Sequence, residues 1–119
     1  MKYLLLVNSD EKLWETVPAA EQERVIGEHF ALVEDLRRRG QYLAGEALQP
    51  VSTAVTVRVQ NGRAVTTDGP FAETKEQIGG FYLIEARDLN EAVALAARIP
   101  HAGSGSVEVR PVMEFPAGG

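Results

Sequence analysis

Two short, unbroken apolar runs constrain this chain more than any other feature: Tyr3 to Val7 near the start, and Phe81 to Ile84 just after the pair Gly79 and Gly80. Neither alternates with polar residues, and both are too short for a buried helix. Each therefore reads as a strand covered on both faces, the pattern of a central position in a sheet. The first run, from Lys2 to Val7, stops at Asn8, Ser9 and Asp10, which favour turns over strands.

The segments around these runs have different periods. Pro18 suits the first residue of a helix that runs to about Arg39 and ends at Gly40, with Thr16 as the nearest side chain able to cap its amides and Trp14 packed over its entry. A strand is expected over Tyr42 to Leu48, ended by Pro50. Val55, Val57 and Val59 then alternate with Thr56, Arg58 and Gln60, and Asn61 and Gly62 supply the two positive-φ positions of a type I′ turn into a return strand from Arg63 to Thr67. Asp88 and Glu91 form a capping pair for a helix carrying Leu89, Val93, Ala96 and Ile99, closed by Pro100. After a flexible turn over 102–105, the last strand places Val107, Val109, Met113 and Phe115 on one face and Glu108, Arg110 and Glu114 on the other, and 117–119 reads as a tail.

This order of elements is the split βαβ pattern of a ferredoxin-like α+β sandwich with an inserted β-hairpin. The 119 residues fit one domain, 1–119, with no internal linker or repeat. Two helices cover one face of such a sheet, yet both central runs are apolar on both faces. A second copy packed sheet to sheet is the simplest cover; shielding by the hairpin and the tail is the alternative.

Composition narrows the function classes. Hydrophobic residues at 45% and charged residues at 24% are ordinary for a folded domain. A net charge of -5 argues against electrostatic binding to nucleic acid or an anionic membrane, and favours small neutral or cationic ligands or protein partners. The absence of cysteine excludes thiolate metal sites and cysteine nucleophiles. Two histidines far apart in sequence make no metal site, and no cofactor fingerprint is present. The first apolar run is too short for a signal or a membrane span, so a cytoplasmic location is the expectation.

Candidate chemistry centres on His29 and on the polar loop from Asp68 to Gln77. At about 100° per residue, Val25, Ile26, Phe30, Leu32, Val33 and Leu36 share one arc of the first helix, and His29 falls near its middle, facing the sheet. It is either a core histidine satisfied by a backbone carbonyl or a general base tuned by burial and a carboxylate, for which Asp68 is the candidate. Asp68 to Phe71 reads as a turn, whereas Glu73 to Gln77 puts five polar side chains immediately before a central strand, as a solvated face or as a ligand or partner surface. Glu46, between Gly45 and Ala47, is a further candidate. Arg37 to Arg39 fit the negative end of the helix dipole, and His101 reads as a solvated loop residue.

The string DGPFAETKEQIGGFYLIE, with the opening KYLLLV, the GEAL segment and the closing SVEVRPVMEF, resembles the DGPF branch of the YCII-related family over nearly the whole chain. The resemblance implies a ferredoxin-like domain that dimerises as an α/β barrel, with a cleft near the DGPF loop. It implies, for some members, lyase-type removal of chloride from hydroxylated rings by a His and Asp pair. Here that pair would be His29 and Asp68, with Asp68 holding Nδ1 of His29 so that Nε2 can take a proton, and Lys75 steadying an oxyanion. Glu46, Phe71 and Glu73 join Lys75 as candidate ligand-binding residues. Members of the branch also resemble partners of alternative sigma factors, which implies instead a regulatory, non-catalytic module with its partner on the 68–77 loop or the last strand.

Overall fold

The computed structural model describes residues 1–116, so the tail expected at 117–119 lies outside the described residues. Its first strand, β1 (Lys2–Ser9), runs two residues further than the apolar run. A short helix, α1 (Glu11–Glu15), follows, capped by the Asp10 carboxylate accepting from the Lys12 amide. Sequence patterning did not anticipate α1, because five residues are too few for periodicity to show. The long helix α2 (Ala19–Arg38) starts after Pro18, which occupies the N-cap position without a side-chain cap. Thr16 ends α1 instead of opening α2. Gly40, at φ 71°, turns the chain out of α2 in the left-handed region that a side chain disfavours.

Next come β2 (Tyr42–Ala47), a 3-10 turn at Val51–Thr53, β3 (Val55–Gln60) and β4 (Arg63–Asp68). Asn61 at φ 52° and Gly62 at φ 77° make the expected positive-φ turn between the last two. Then follow β5 (Gln77–Glu85), α3 (Leu89–Ala97), a 3-10 turn at Pro100–Gly103 and β6 (Ser106–Pro111). Because β6 ends at Pro111, Met113 and Phe115 continue the alternating pattern beyond the strand and stand exposed.

The main sheet is antiparallel with order β2-β5-β1-β6, so the two apolar runs do hold its centre. That order, with α2 linking β1 to β2 and α3 linking β5 to β6, is the ferredoxin-like topology. β3 and β4 form a separate two-stranded sheet, the inserted hairpin. The radius of gyration, 16.4 Å, exceeds the roughly 13–14 Å of a compact domain of this length, in keeping with a hairpin that pairs only with itself.

The core lies on one face of the main sheet. Tyr3, Leu5 and Val7 of β1 and Tyr82 and Ile84 of β5 pack under Leu32 and Leu36 of α2 and Ala92, Leu95 and Ala96 of α3. On the opposite face Leu4 stands beside Leu83, Leu6 beside Phe81, and Glu46 beside Phe81. Those four apolar residues are only half-buried, and Glu46 is exposed. The apolar arc of α2 is narrower than its periodicity suggests: Ile26 and Phe30 point away from the core, at 46% and 69% exposure.

Candidate functional site

Five elements deliver aromatic side chains to one end of the core. His29 sits on α2 one turn before Leu32, so the packing that buries Leu32 and Leu36 turns its imidazole toward β5. There Nδ1 lies 2.5 Å from the hydroxyl of Tyr82. Nε2 lies 2.7 Å from Nδ1 of His101. The His101 ring in turn packs on Trp14 of α1, with centroids 5.1 Å apart and planes tilted by 56°. Tyr42 of β2 meets Tyr82 edge-on at 6.3 Å, closing the cluster on its far side.

Each member is held by local structure. The turn bearing His101 is fixed by the Gly105 and Ser104 amides, which donate to the His101 carbonyl. Gly105 also lies so close to the Asn8 carbonyl at the end of β1 that a Cβ there would collide with it, so glycine is required for this close approach. Trp14 is anchored through its carbonyl, which accepts from Gln22 Nε2 at 2.9 Å. The amide of Glu11 donates to Gln77 Oε1, and its carboxylate accepts from the Val51 amide at 3.1 Å. The short helix α1 thus joins the base of the hairpin, the end of the polar loop and the His101 ring.

Burial sets the protonation of the cluster. Desolvation, followed by the neighbouring His101, pushes His29 down to about 4, so it is neutral at pH 7. Desolvation also lowers His101. Tyr82 is pushed up to about 12, first by burial and then by Tyr42, and stays a phenol. Both ring nitrogens of His29 are therefore engaged with neutral partners.

That arrangement differs from the sequence expectation at Nδ1. Tyr82, not Asp68, holds this nitrogen within the chain. Asp68 ends β4 in the separate hairpin sheet, opposite Val55 and exposed to solvent, with no side-chain hydrogen bond among the described residues. Phe71, Glu73 and Lys75 are exposed on the loop. The loop is tethered through Gln77, whose Nε2 donates to the Thr74 carbonyl at 2.6 Å, and through Glu76, whose carboxylate accepts from Ser106 at 2.7 Å. Among the described residues no hydrogen bond or ion pair joins this loop to His29. Glu46 faces the opposite side of the sheet from His29, because it pairs with Phe81 while Gly45 pairs with Tyr82. His101, read from sequence as solvated, is half-buried against Trp14 and His29. The one signal for it was Pro100, which stops α3 and starts the turn.

An open groove of about 300 Å³ runs along Glu28, Ala31, Leu32, Arg98 and Pro100, which flank the two histidines in sequence. Among the described residues no group of three or more His, Cys, Asp or Glu side chains is placed to hold a metal ion. No helix among them is long and apolar enough to cross a membrane.

The ferredoxin-like α+β topology defines the class of fold, and the comparisons with known proteins agree with that fold. The chain belongs to the YCII-related domain family, whose model matches residues 1–116. It is 37% identical over 120 residues to an uncharacterised protein of Rhizobium meliloti (strain 1021), covering 99% of this chain and 97% of that one. Its fold is similar to that of a 5-chloro-2-hydroxyhydroquinone dehydrochlorinase from Burkholderia phenoliruptrix AC1100, solved in complex with 2,5-dihydroxybenzoquinone. The TM-score is 0.51, with 18% identity, over 97% of this chain and 96% of that one.

Proposed function

We propose that this protein is an acid–base enzyme of lyase type that acts on small hydroxylated rings and works as a homodimer of the DGPF branch of its family. The observation that carries this reading is the half-buried, neutral His29, held at both ring nitrogens by Tyr82 and His101. A neutral imidazole pair beside an aromatic wall can take a proton from a phenolic hydroxyl at neutral pH. On a chlorinated hydroxyquinol the proton goes to imidazole and the electron pair stays on the ring oxygen. As that pair forms a carbonyl, the carbon bearing chlorine takes up a proton, and chloride then leaves with its bonding pair as a second ring hydroxyl gives up its proton, so the sum is loss of HCl without an oxidant or reductant. The structural neighbour's name as a dehydrochlorinase supports this reaction class.

Two apolar surfaces without a cover in this chain support the dimer. One is the sheet face of Leu4, Leu6, Phe81 and Leu83. The other is the hairpin face bearing Val55, Val57 and Val59, which are 57%, 58% and 72% exposed. Their cross-strand partners are Asp68, Thr66 and Ala64, so Asp68 shares the valine face. A two-stranded hairpin alone is marginal in water, which favours a second copy as its cover. In that arrangement Asp68 and the loop beyond it work at the interface, and this is where we assign Asp68, Phe71, Glu73 and Lys75 their role.

The test is chloride release from 5-chloro-2-hydroxyhydroquinone under argon, which suppresses air oxidation of the ring. Wild-type protein releases chloride well above the buffer rate, and His29→Ala does not. Wild-type release no faster than buffer contradicts the reading.

A further inference from the structure

His29 is the histidine that helical periodicity singles out, but its geometry leaves it no free nitrogen. Nδ1 is taken by the Tyr82 hydroxyl at 2.5 Å and Nε2 by His101 Nδ1 at 2.7 Å. A group that removes a proton from a ligand needs a lone pair directed at that ligand. His101 has one nitrogen in the pair and a second, Nε2, with no hydrogen-bond partner among the described residues. The His101 ring is half-buried rather than enclosed, and it packs on the half-buried indole of Trp14.

We propose that the nitrogen this site presents to a substrate is Nε2 of His101, that His29 is a positioning residue behind it, and that Trp14 supplies the flat wall for a planar ring. This rests on the acid–base reading above and moves the point of contact from one histidine to the other. In the base form, His101 carries its ring hydrogen on Nδ1 and donates it to Nε2 of His29. The hydrogen of His29 then sits on Nδ1 and is donated to the Tyr82 oxygen, which is the negative end of the phenol dipole.

Proton transfer from a ring hydroxyl forms the N–H bond at Nε2 of His101 and leaves the electron pair on the ring oxygen. The hydrogen between the two imidazoles can then shift toward His29, so a single positive charge spreads over both rings. Tyr82 remains a neutral phenol throughout and steadies that charge as an acceptor. Return of the proton from Nε2 to solvent restores the pair. Burial that keeps both imidazoles neutral at rest leaves the lone pair available.

The arrangement has a substrate-free test, because these are the two histidines of the chain. Diethyl pyrocarbonate acylates an imidazole nitrogen only where a lone pair is accessible. With the full-length protein and peptide mapping by mass spectrometry, His101 is expected to react first, with His29 slower by at least an order of magnitude. In His101→Ala, shown folded by circular dichroism, Nε2 of His29 loses its hydrogen-bond partner and His29 gains reactivity. The positioning role has its own signature: in His29→Asn, the nitrogen-15 shifts of His101 move from one fixed tautomer toward the averaged pattern of free histidine. Reaction at His29 as fast as at His101, or a His101 tautomer indifferent to His29→Asn, overturns the assignment. Chloride release by the wild type under such an outcome would leave the acid–base reading standing, so the two failures are distinguishable.

Discussion

Tyr82 on the central strand β5 and His29 on the long helix α2, 53 residues apart in sequence, meet with the phenol oxygen 2.5 Å from Nδ1 of the imidazole. This contact ties helix to sheet at the end of the core where the short helix α1 and the turn after α3 converge. Its partner is the 2.7 Å contact from the other imidazole nitrogen to His101, and the two together fix the orientation of the His29 ring.

Replacing Tyr82 by Phe removes one side of that hold while keeping the ring that packs in the core. The expected cost is about 1–2 kcal/mol, from a lost hydrogen bond and a half-buried nitrogen left without its partner. Urea unfolding should show a lower midpoint at unchanged slope. A variant as stable as wild type would mean that the phenol hydroxyl contributes nothing to the fold.

Acid should weaken the protein before its carboxylates titrate. An unfolded histidine binds a proton near 6.5, whereas His29 in the fold resists protonation until about 4, and His101 is shifted in the same direction. Between those values unfolding takes up protons, so stability is complete above about pH 6.5 and falls as pH drops toward 4. Asp35, held below its usual range first by its hydrogen bond to Arg98, adds a further loss at lower pH. Thermal midpoints measured across this range should slope for wild type and flatten above pH 4 in the double variant His29→Gln, His101→Gln.

Much of this architecture was legible in sequence because it rests on burial. The two apolar runs mark β1 and β5 as central, Asn61 and Gly62 mark the hairpin turn, and Asp88 caps α3 through the Glu91 amide as its spacing implies. His29 was legible through its place on the face of α2 that carries Leu32 and Leu36. The rest of the cluster was not. Tyr82 sits inside an apolar run where its hydroxyl gives no periodic signal, and His101 and Trp14 are carried by segments of four and five residues. Such contacts are set by tertiary geometry at one end of the core, which local patterns do not encode.

Gly105→Ala tests how tightly that geometry is set. The added methyl meets the carbonyl of Asn8 on β1, so the turn must move outward and carry His101 with it. A loss of about 1–3 kcal/mol is expected, with the His101 resonances more disturbed than those of the strands. Thermal unfolding together with histidine NMR reads both effects. An unchanged His101 would show that the turn is not pinned at this point.

The uncovered faces predict the oligomer. Val57→Asp places a charge in the middle of the hairpin's valine face, and Leu6→Asp does so on the open sheet face. Light scattering coupled to size exclusion is expected to give a dimer for wild type and a monomer for at least one of these variants. A wild-type monomer at micromolar concentration would leave both apolar faces without the cover assigned to them.

Nitrogen-15 NMR of histidine-labelled protein reads whether His29 is a neutral imidazole held at both nitrogens within a proton-transfer pair. Followed as pH falls from 8 to 4.5, the His29 ring should keep the shifts of one neutral tautomer, with both nitrogens hydrogen-bonded and no titration until about 4. A His29 that titrates near 6.5 with averaged tautomers, as an exposed histidine does, would contradict the account.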